Sequence, residues 1–323
     1  MRRRDFVVGL SITSAATLLA AQQPGKVWRI GYLWPAPGIE PSYRYFTQGL
    51  RELGYVEGQN LLLERRSAEE SPDRLPDLAA ELVRLNVDVI VAVATSGAIA
   101  AQRATTTIPI VMLAVSDPVA TGLVRSYARP GGNITGLAVT GGGLSRKRLE
   151  LLKEVLPTLS RVGVLLNPNL QSTKVYWQET EIAAAMLQVT LQRFEVRAPG
   201  EIEAAYAAVE KAQVEALIVI TEPVIAVERR RRTDLAASSR IPVMNMVRGT
   251  AEQADFISYG PNYPDLYRRA AIFVDKILKG ATPAEIPVEE PAKFDLVINL
   301  KTAHRLGITI PQSVLLRADG LIE

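Results

Sequence analysis

The chain has 323 residues, 48% apolar and 22% charged, enough for a large core or two lobes and too apolar for general disorder. It contains no cysteine and a single histidine, His304, which excludes thiol chemistry, disulfides, cysteine zinc sites, iron–sulfur clusters, attachment of lipid at a cysteine and histidine-rich metal centres. The formal charge is +3, of which Arg2, Arg3 and Arg4 less Asp5 supply two; the remainder is close to neutral, which argues against nucleic acid as a partner.

Residues 1–21 have a basic start and then a short run rich in Ala, Leu, Val, Ser and Thr. That is the form of a secretory signal, and Arg3-Arg4-Asp5-Phe6-Val7 resembles a twin-arginine export signal. The apolar stretch is shorter than the ~20 residues of a membrane helix. Residues 22–26 read as a polar linker.

From Val27 onward, short apolar runs alternate with amphipathic stretches, which predicts βαβ units and parallel sheets. Strand 29–33 leads to a helix over 43–53 with Phe46, Leu50 and Leu53 on one face, stopped by Gly54. A strand at 61–64, a helix at 73–85, a strand at 87–93, an Ala-rich helix and a strand at 108–112 follow. The second half repeats this grammar. Strands beginning at 161, 214 and 241 match in residue type those beginning at 29, 87 and 108. The expectation is an α/β protein of two Rossmann-like lobes with parallel sheets.

The first lobe is placed at 27–138 and the second at 139–259. The Gly-rich stretch 136–143 is read as the first crossing between them. The chain returns to the first lobe over 260–292, through a helix at 264–279. The tail 293–323 is expected to pack near the hinge. The basic run from Arg229 to Arg232 lies inside a predicted helix at 224–238 and reads as a solvated face.

Open parallel sheets bind ligands beyond the carboxyl ends of their strands. In the first half those positions hold Tyr32, Trp34, Thr95, Ser96, Ser116 and Asp117; in the second they hold Asn167, Thr221, Glu222 and Asn245. Thr95 and Ser96 open a helix, where exposed N–H groups and hydroxyls receive an anion such as a carboxylate. Asp117 and Glu222 are placed to meet a ligand ammonium. Tyr32, Trp34 and Tyr259 are candidate walls for an apolar or aromatic group. Together they suit an amino acid or a similar small zwitterion. No G-x-S-x-G elbow, phosphate loop or acid/base pair is present, and no lysine stands beside Ser96 or Ser116, so no catalytic residue, metal or cofactor is assigned.

Several blocks carry a family likeness. They are Phe-Thr-Gln-Gly-Leu-Arg-Glu-Leu-Gly-Tyr-Val-Glu-Gly-Gln-Asn at 46–60, Ser-Asp-Pro-Val-Ala-Thr-Gly-Leu-Val at 116–124 and Ala-Arg-Pro-Gly-Gly-Asn-Ile-Thr-Gly at 128–136. Ser-Tyr-Gly-Pro at 258–261, the segments 268–271 and 274–280, and the blocks 283–287 and 293–303 complete them. With these the chain resembles the bacterial ABC transporter substrate-binding proteins of the tryptophan/tyrosine type.

The resemblance implies a type I periplasmic-binding fold with a three-crossing hinge that captures ligand by closure. It also implies ligand-facing loops at Thr95, Ser96, Ser116, Asp117, Thr140, Asn167, Thr221 and Tyr259. The expected function is capture of an amino acid, aromatic or otherwise, or a related carboxylate, and delivery to the permease of an ABC importer. The expected form is a soluble periplasmic monomer without a lipid anchor. A ligand-sensing module for a membrane receptor is the alternative.

Overall fold

The computed structural model describes residues 26–36, 42–69, 71–139, 143–198, 200–221, 223–251 and 254–323. Residues 1–25, which hold the expected signal, lie outside them, as do Thr140 and Glu222.

The first part of the chain runs β1 (Trp28–Trp34), α1 (Tyr43–Glu52), β2 (Leu61–Ser67), α2 (Leu75–Arg84), β3 (Val89–Val93), α3 (Ala94–Ala104), β4 (Ile110–Val115) and β5 (Ile134–Ala138). The next stretch is α4 (Leu144–Val155), β6 (Arg161–Leu166), α5 (Gln171–Leu187), β7 (Thr190–Glu195), α6 (Ile202–Lys211) and β8 (Ala216–Val219). It continues through α7 (Pro223–Val227), α8 (Arg229–Ser238), β9 (Val243–Asn245), α9 (Arg248–Ala251) and β10 (Ile257–Pro261). The chain ends with α10 (Tyr263–Leu278), β11 (Phe294–Asn299), α11 (Leu300–Leu306), α12 (Gln312–Leu315) and β12 (Gly320–Ile322).

Two sheets form. The first has the order β2-β1-β3-β4-β5 and is wholly parallel. The second has the order β12-β11-β10-β9-β8-β6-β7. Its run β7-β6-β8-β9-β10 repeats the order of the first sheet strand for strand, so the echo of apolar runs in the sequence is an echo of topology. The tail expected near the hinge enters the second sheet as β11 and β12, with β11 antiparallel to β10.

Both faces of each sheet are covered, which is why the strands read as continuous apolar runs. In β3, Val89, Val91 and Val93 face one helical layer with α1 and α10, while Ile90 and Ala92 face α2 and α3. In the second sheet, Ile218 packs toward the α4 and α5 side, and Leu217 and Val219 pack toward α6 and α8.

The lobes exchange helices. After β5 the chain leaves the first sheet, and α4 packs on the second. After β10 it leaves the second sheet, and α10 packs beside α1 on the first. Glu289 bridges to Leu137 of β5 before β11 rejoins the second sheet. The chain therefore crosses between lobes three times. Gly49 of α1 permits the α1–α10 approach, since a Cβ there would lie 2.8 Å from the Arg268 carbonyl oxygen.

Two local expectations are corrected. Residues 136–138, read as the start of a glycine-rich crossing, belong instead to the edge strand β5, in which Gly136 at φ 134° lies against the Met112 backbone. The run at 229–232 is not a uniformly solvated face. Arg232 is 1% exposed and donates through Nη1 to both carboxylate oxygens of Asp255, at 2.8 and 3.1 Å. Arg231 instead pairs with Glu203 at the surface. One helical turn points a single member of four consecutive residues inward, and that member needs a buried counter-charge. Among the described residues no helix is long and apolar enough to cross a membrane.

Candidate functional site

In each lobe the strand order reverses direction between the first and third strands, and that switch point opens a crevice at the carboxyl edge of the sheet. In the first lobe β1 ends at Trp34, which is half-buried, and β3 passes directly into α3. The passage needs a sharp turn, and Ala94 makes it at φ 59°. Val93 at the cap position supplies no side-chain hydrogen bond, so the N–H groups of the first turn of α3 stay uncapped. Thr95 is 7% exposed and its Oγ1 accepts the Ser116 N–H at 3.1 Å. The Ser96 Oγ is enclosed and has no hydrogen-bond partner among the described residues.

A bulge aims the next strand at the same place. β4 shifts register between Leu113 and Val115, with Ala114 at φ 58°. Val111 and Leu113 face the α1 and α10 layer, and strict alternation would send Val115 there too. Instead Val115 packs with the α2 and α3 layer, so the bulge re-aims everything after it. Ser116 and Asp117 follow, with Asp117 at φ 36° and its Oδ1 accepting the Ala120 N–H at 2.9 Å. Three left-handed non-glycine residues thus collect at this edge, a concentration typical of functional sites.

The second lobe answers from α5. Asn167 follows β6, is 3% exposed and accepts the Asn169 N–H through Oδ1. Ser172 and Thr173 lie buried in the first turn of α5, and the Thr173 Oγ1 has no partner among the described residues. One turn further, the Tyr176 hydroxyl accepts a hydrogen bond from Ser116 Oγ at 3.0 Å. That bond joins the two lobes across the crevice.

Beyond β8, Thr221 Oγ1 donates to Asn245 Oδ1 at 2.8 Å. Asn245 Nδ2 donates to Asp255 at 3.0 Å, so the buried Arg232–Asp255 pair supports the rim from behind.

Beneath this rim, Arg148 of α4 is 2% exposed and donates from Nε to the Tyr259 carbonyl at 2.8 Å. Its Nη2 has no hydrogen-bond partner among the described residues. Ser145, Arg148, Tyr176 and Thr180, over Ile218, Ile220 and Met246, line a cavity of about 10 Å³. Glu179 of α5 accepts a hydrogen bond from Ser145 Oγ at 3.0 Å. Burial raises the Glu179 carboxyl above the ordinary range; the Ser145 bond and Arg148 oppose the rise, and the negative charge of Asp117 from the other lobe adds to it. The charge of Asp117 therefore reaches Glu179 across the crevice, where a cation bound near Glu179 would oppose that rise.

The structure brings Thr95, Ser96, Ser116 and Asp117 to one edge and Asn167 and Thr221 to the facing one. Tyr32, expected as a wall, is 3% exposed and packs edge-on to Tyr43 at 4.7 Å between centroids, inside the first lobe's core. Tyr259 stacks on Phe294 at 6.3 Å, and burial raises its phenol pKa. Sequence reading missed Arg148, Thr173, Tyr176 and Glu179. They sit on helices rather than at strand ends, and the only available signal was the polar face formed by Tyr176, Glu179 and Thr180 at helical spacing.

Comparison with known proteins agrees with this architecture. The tyrosine-binding protein of Clostridioides difficile (strain R20291) is 27% identical over 280 residues, 86% of this chain and 80% of that protein. The crystal structure of an ABC domain in complex with L-Trp from Streptococcus pneumonia is 29% identical, covers 91% of this chain and 99% of its own, and has a TM-score of 0.85. A ligand-free, open structure of a substrate binding protein with adhesive properties from Clostridium difficile is 25% identical over 92% and 99% of the two chains, with a TM-score of 0.67. The family described as ABC transporter substrate binding protein matches residues 35–322. With nearly the whole chain matched and two lobes of repeated topology facing one crevice, this protein belongs to the ABC transporter substrate binding protein family, a family of binders rather than enzymes.

Proposed function

We propose that the protein captures an amino acid, aromatic by preference, or a related carboxylate between its lobes and delivers it to the permease of an ABC importer. The observation that carries this reading is the Ser116–Tyr176 hydrogen bond, which joins the two sheet edges, together with a buried Ser96 hydroxyl in the first turn of α3 left without a partner among the described residues. In this reading the uncapped start of α3, with Thr95 and Ser96, takes the carboxylate. Asp117 and Glu179 take the ammonium from opposite lobes. Trp34 and Tyr259 bound the apolar part. Asn167 and Thr221 complete the second lobe's rim, and Thr140 and Glu222, which lie outside the described residues, are further proposed ligand contacts. Tyr32 acts from the core behind the rim.

The better overlay on the L-Trp complex than on the open, ligand-free relative supports a closed arrangement of the lobes. Residues 1–21 act as the export signal, and the mature chain works as a periplasmic monomer. The lobe boundaries follow the crossings: 27–138 with the returning 260–292, then 139–259, with 293–323 completing the second sheet.

Titration calorimetry against the amino acids and a set of aromatic acids tests the proposal. Binding of an aromatic amino acid that weakens about tenfold or more in both Ser96→Ala and Asp117→Asn is the expected result. Silence across the whole panel, from protein freed of any co-purified solute, overturns it.

A further inference from the structure

The second and third passages between the lobes run side by side. The second leaves β10 at Pro261 and enters α10 at Tyr263, and the third brings the chain back into β11 at Phe294. Pro261 pairs with Phe294 in the antiparallel ladder, and the Asn262 N–H donates to the Lys293 carbonyl at 3.0 Å. Asn262 thus stands between the last ladder pair of the second sheet and the first residue of a helix that packs in the first lobe. The direction in which α10 leaves this point sets how the lobes lie.

The Asn262 side chain acts on both sides of the junction. Its Oδ1 accepts the Asp265 N–H at 2.8 Å and so caps α10. Its Nδ2 donates to Asp295 Oδ1 of β11 at 3.1 Å. Asp295 is buried, and its other oxygen has no hydrogen bond among the described residues, meeting Arg248 of α9 only as an ion pair at 3.6 Å. A buried carboxylate so sparsely served depends on the donor it has. Asp265 also pairs with Lys293 at 3.2 Å and Arg269 with Glu289, but these pairs are partly exposed and hold less. Serine or aspartate would cap a helix as well as asparagine does. Only the amide caps and donates at once, and the donor is the part that reaches the second sheet.

We propose that Asn262 is a positioning residue for solute capture: its amide pins α10 to β11 while the lobes are closed, and the pin is released when they part. Affinity then depends on a residue that does not touch the solute, because losing the pin depletes the closed form to which the solute binds. The inference rests on the closed reading of the lobes and not on the identity of the solute.

The chain has no cysteine, so Val119→Cys and Lys174→Cys, both at exposed positions, place one spin-label pair across the crevice of the ligand-free protein. Double electron–electron resonance then reads the distance between the lobes. Asn262→Ser keeps a capping oxygen but is too short to reach Asp295, and is expected to lower the ratio of closed to open molecules at least about fivefold. Asn262→Asp combined with Asp295→Asn exchanges donor and acceptor, and is expected to return the ratio to within about twofold of wild type. If the serine variant does not fold, Asn262→Asp alone, which sets two carboxylates together, takes its place and is expected to open the lobes. A cap without a hinge role would lower Tm and leave the distances unchanged. Unchanged distances in a closed protein, or a swapped pair that stays open, overturn the proposal alone. A wild type found only at the long distance overturns the closed reading and the proposal with it.

Discussion

At the scale of single residues, the second lobe is organised around polar groups whose partners lie far away in the chain. Arg232, Asp255, Asn245 and Thr221 form one chain of hydrogen bonds from α8 to the crevice rim. Removing Asp255 strands a buried guanidinium and an amide donor together. Asp255→Ala is therefore expected to lose about 3–5 kcal/mol of stability, read from urea unfolding, whereas surface variants such as Glu203→Ala change it little.

Glu179 gives a pH signature. Its carboxyl is raised in the folded state, so the folded protein holds that proton more tightly than the unfolded chain does. The group's favourable contribution is full below the unfolded carboxylate value near 4.3 and is lost as pH rises through the raised folded value. Glu179→Gln should flatten this slope: its Tm relative to wild type is expected to be higher at pH 7 than at pH 4. An identical pH profile in the two proteins would contradict the assigned burial.

At the scale of elements, glycines decide where backbones approach. A Cβ on Gly136 would lie 2.1 Å from the Met112 carbonyl oxygen, and its φ of 134° disfavours side chains as well. Gly136→Ala is expected to cost about 3 kcal/mol and to disturb the β4–β5 pairing, seen as faster amide exchange in β5. Gly132→Ala, with open space around its Cβ position, is the control. This edge strand was hidden in the sequence because its glycine and its neighbours at 130–133 read as turn residues, while its pairing with β4 is a non-local fact. The strands at 28–34, 89–93 and 161–166 were legible because burial on both faces writes an uninterrupted apolar run into the chain.

At the scale of the whole molecule, the Ser116–Tyr176 hydrogen bond spans the crevice rim from one lobe to the other. Tyr176→Phe removes the acceptor and keeps the ring. It is expected to shift the ligand-free protein toward an open form, with a larger radius of gyration by small-angle scattering, and to leave the thermal stability of the separate cores nearly unchanged. An unaltered radius in the ligand-free variant would show that closure does not depend on this contact.

What the sequence by itself determined is the two-lobe α/β plan, the repeated strand order behind it, and the loops at the carboxyl ends of the strands. Local periodicity and residue type suffice for these, since each strand's burial is recorded in its own composition. Only the tertiary structure decided that the tail extends the second sheet, that Arg232 is buried, and that Arg148, Tyr176 and Glu179 meet the crevice. These depend on which surfaces face each other after the chain has crossed between lobes, and no local pattern encodes that facing.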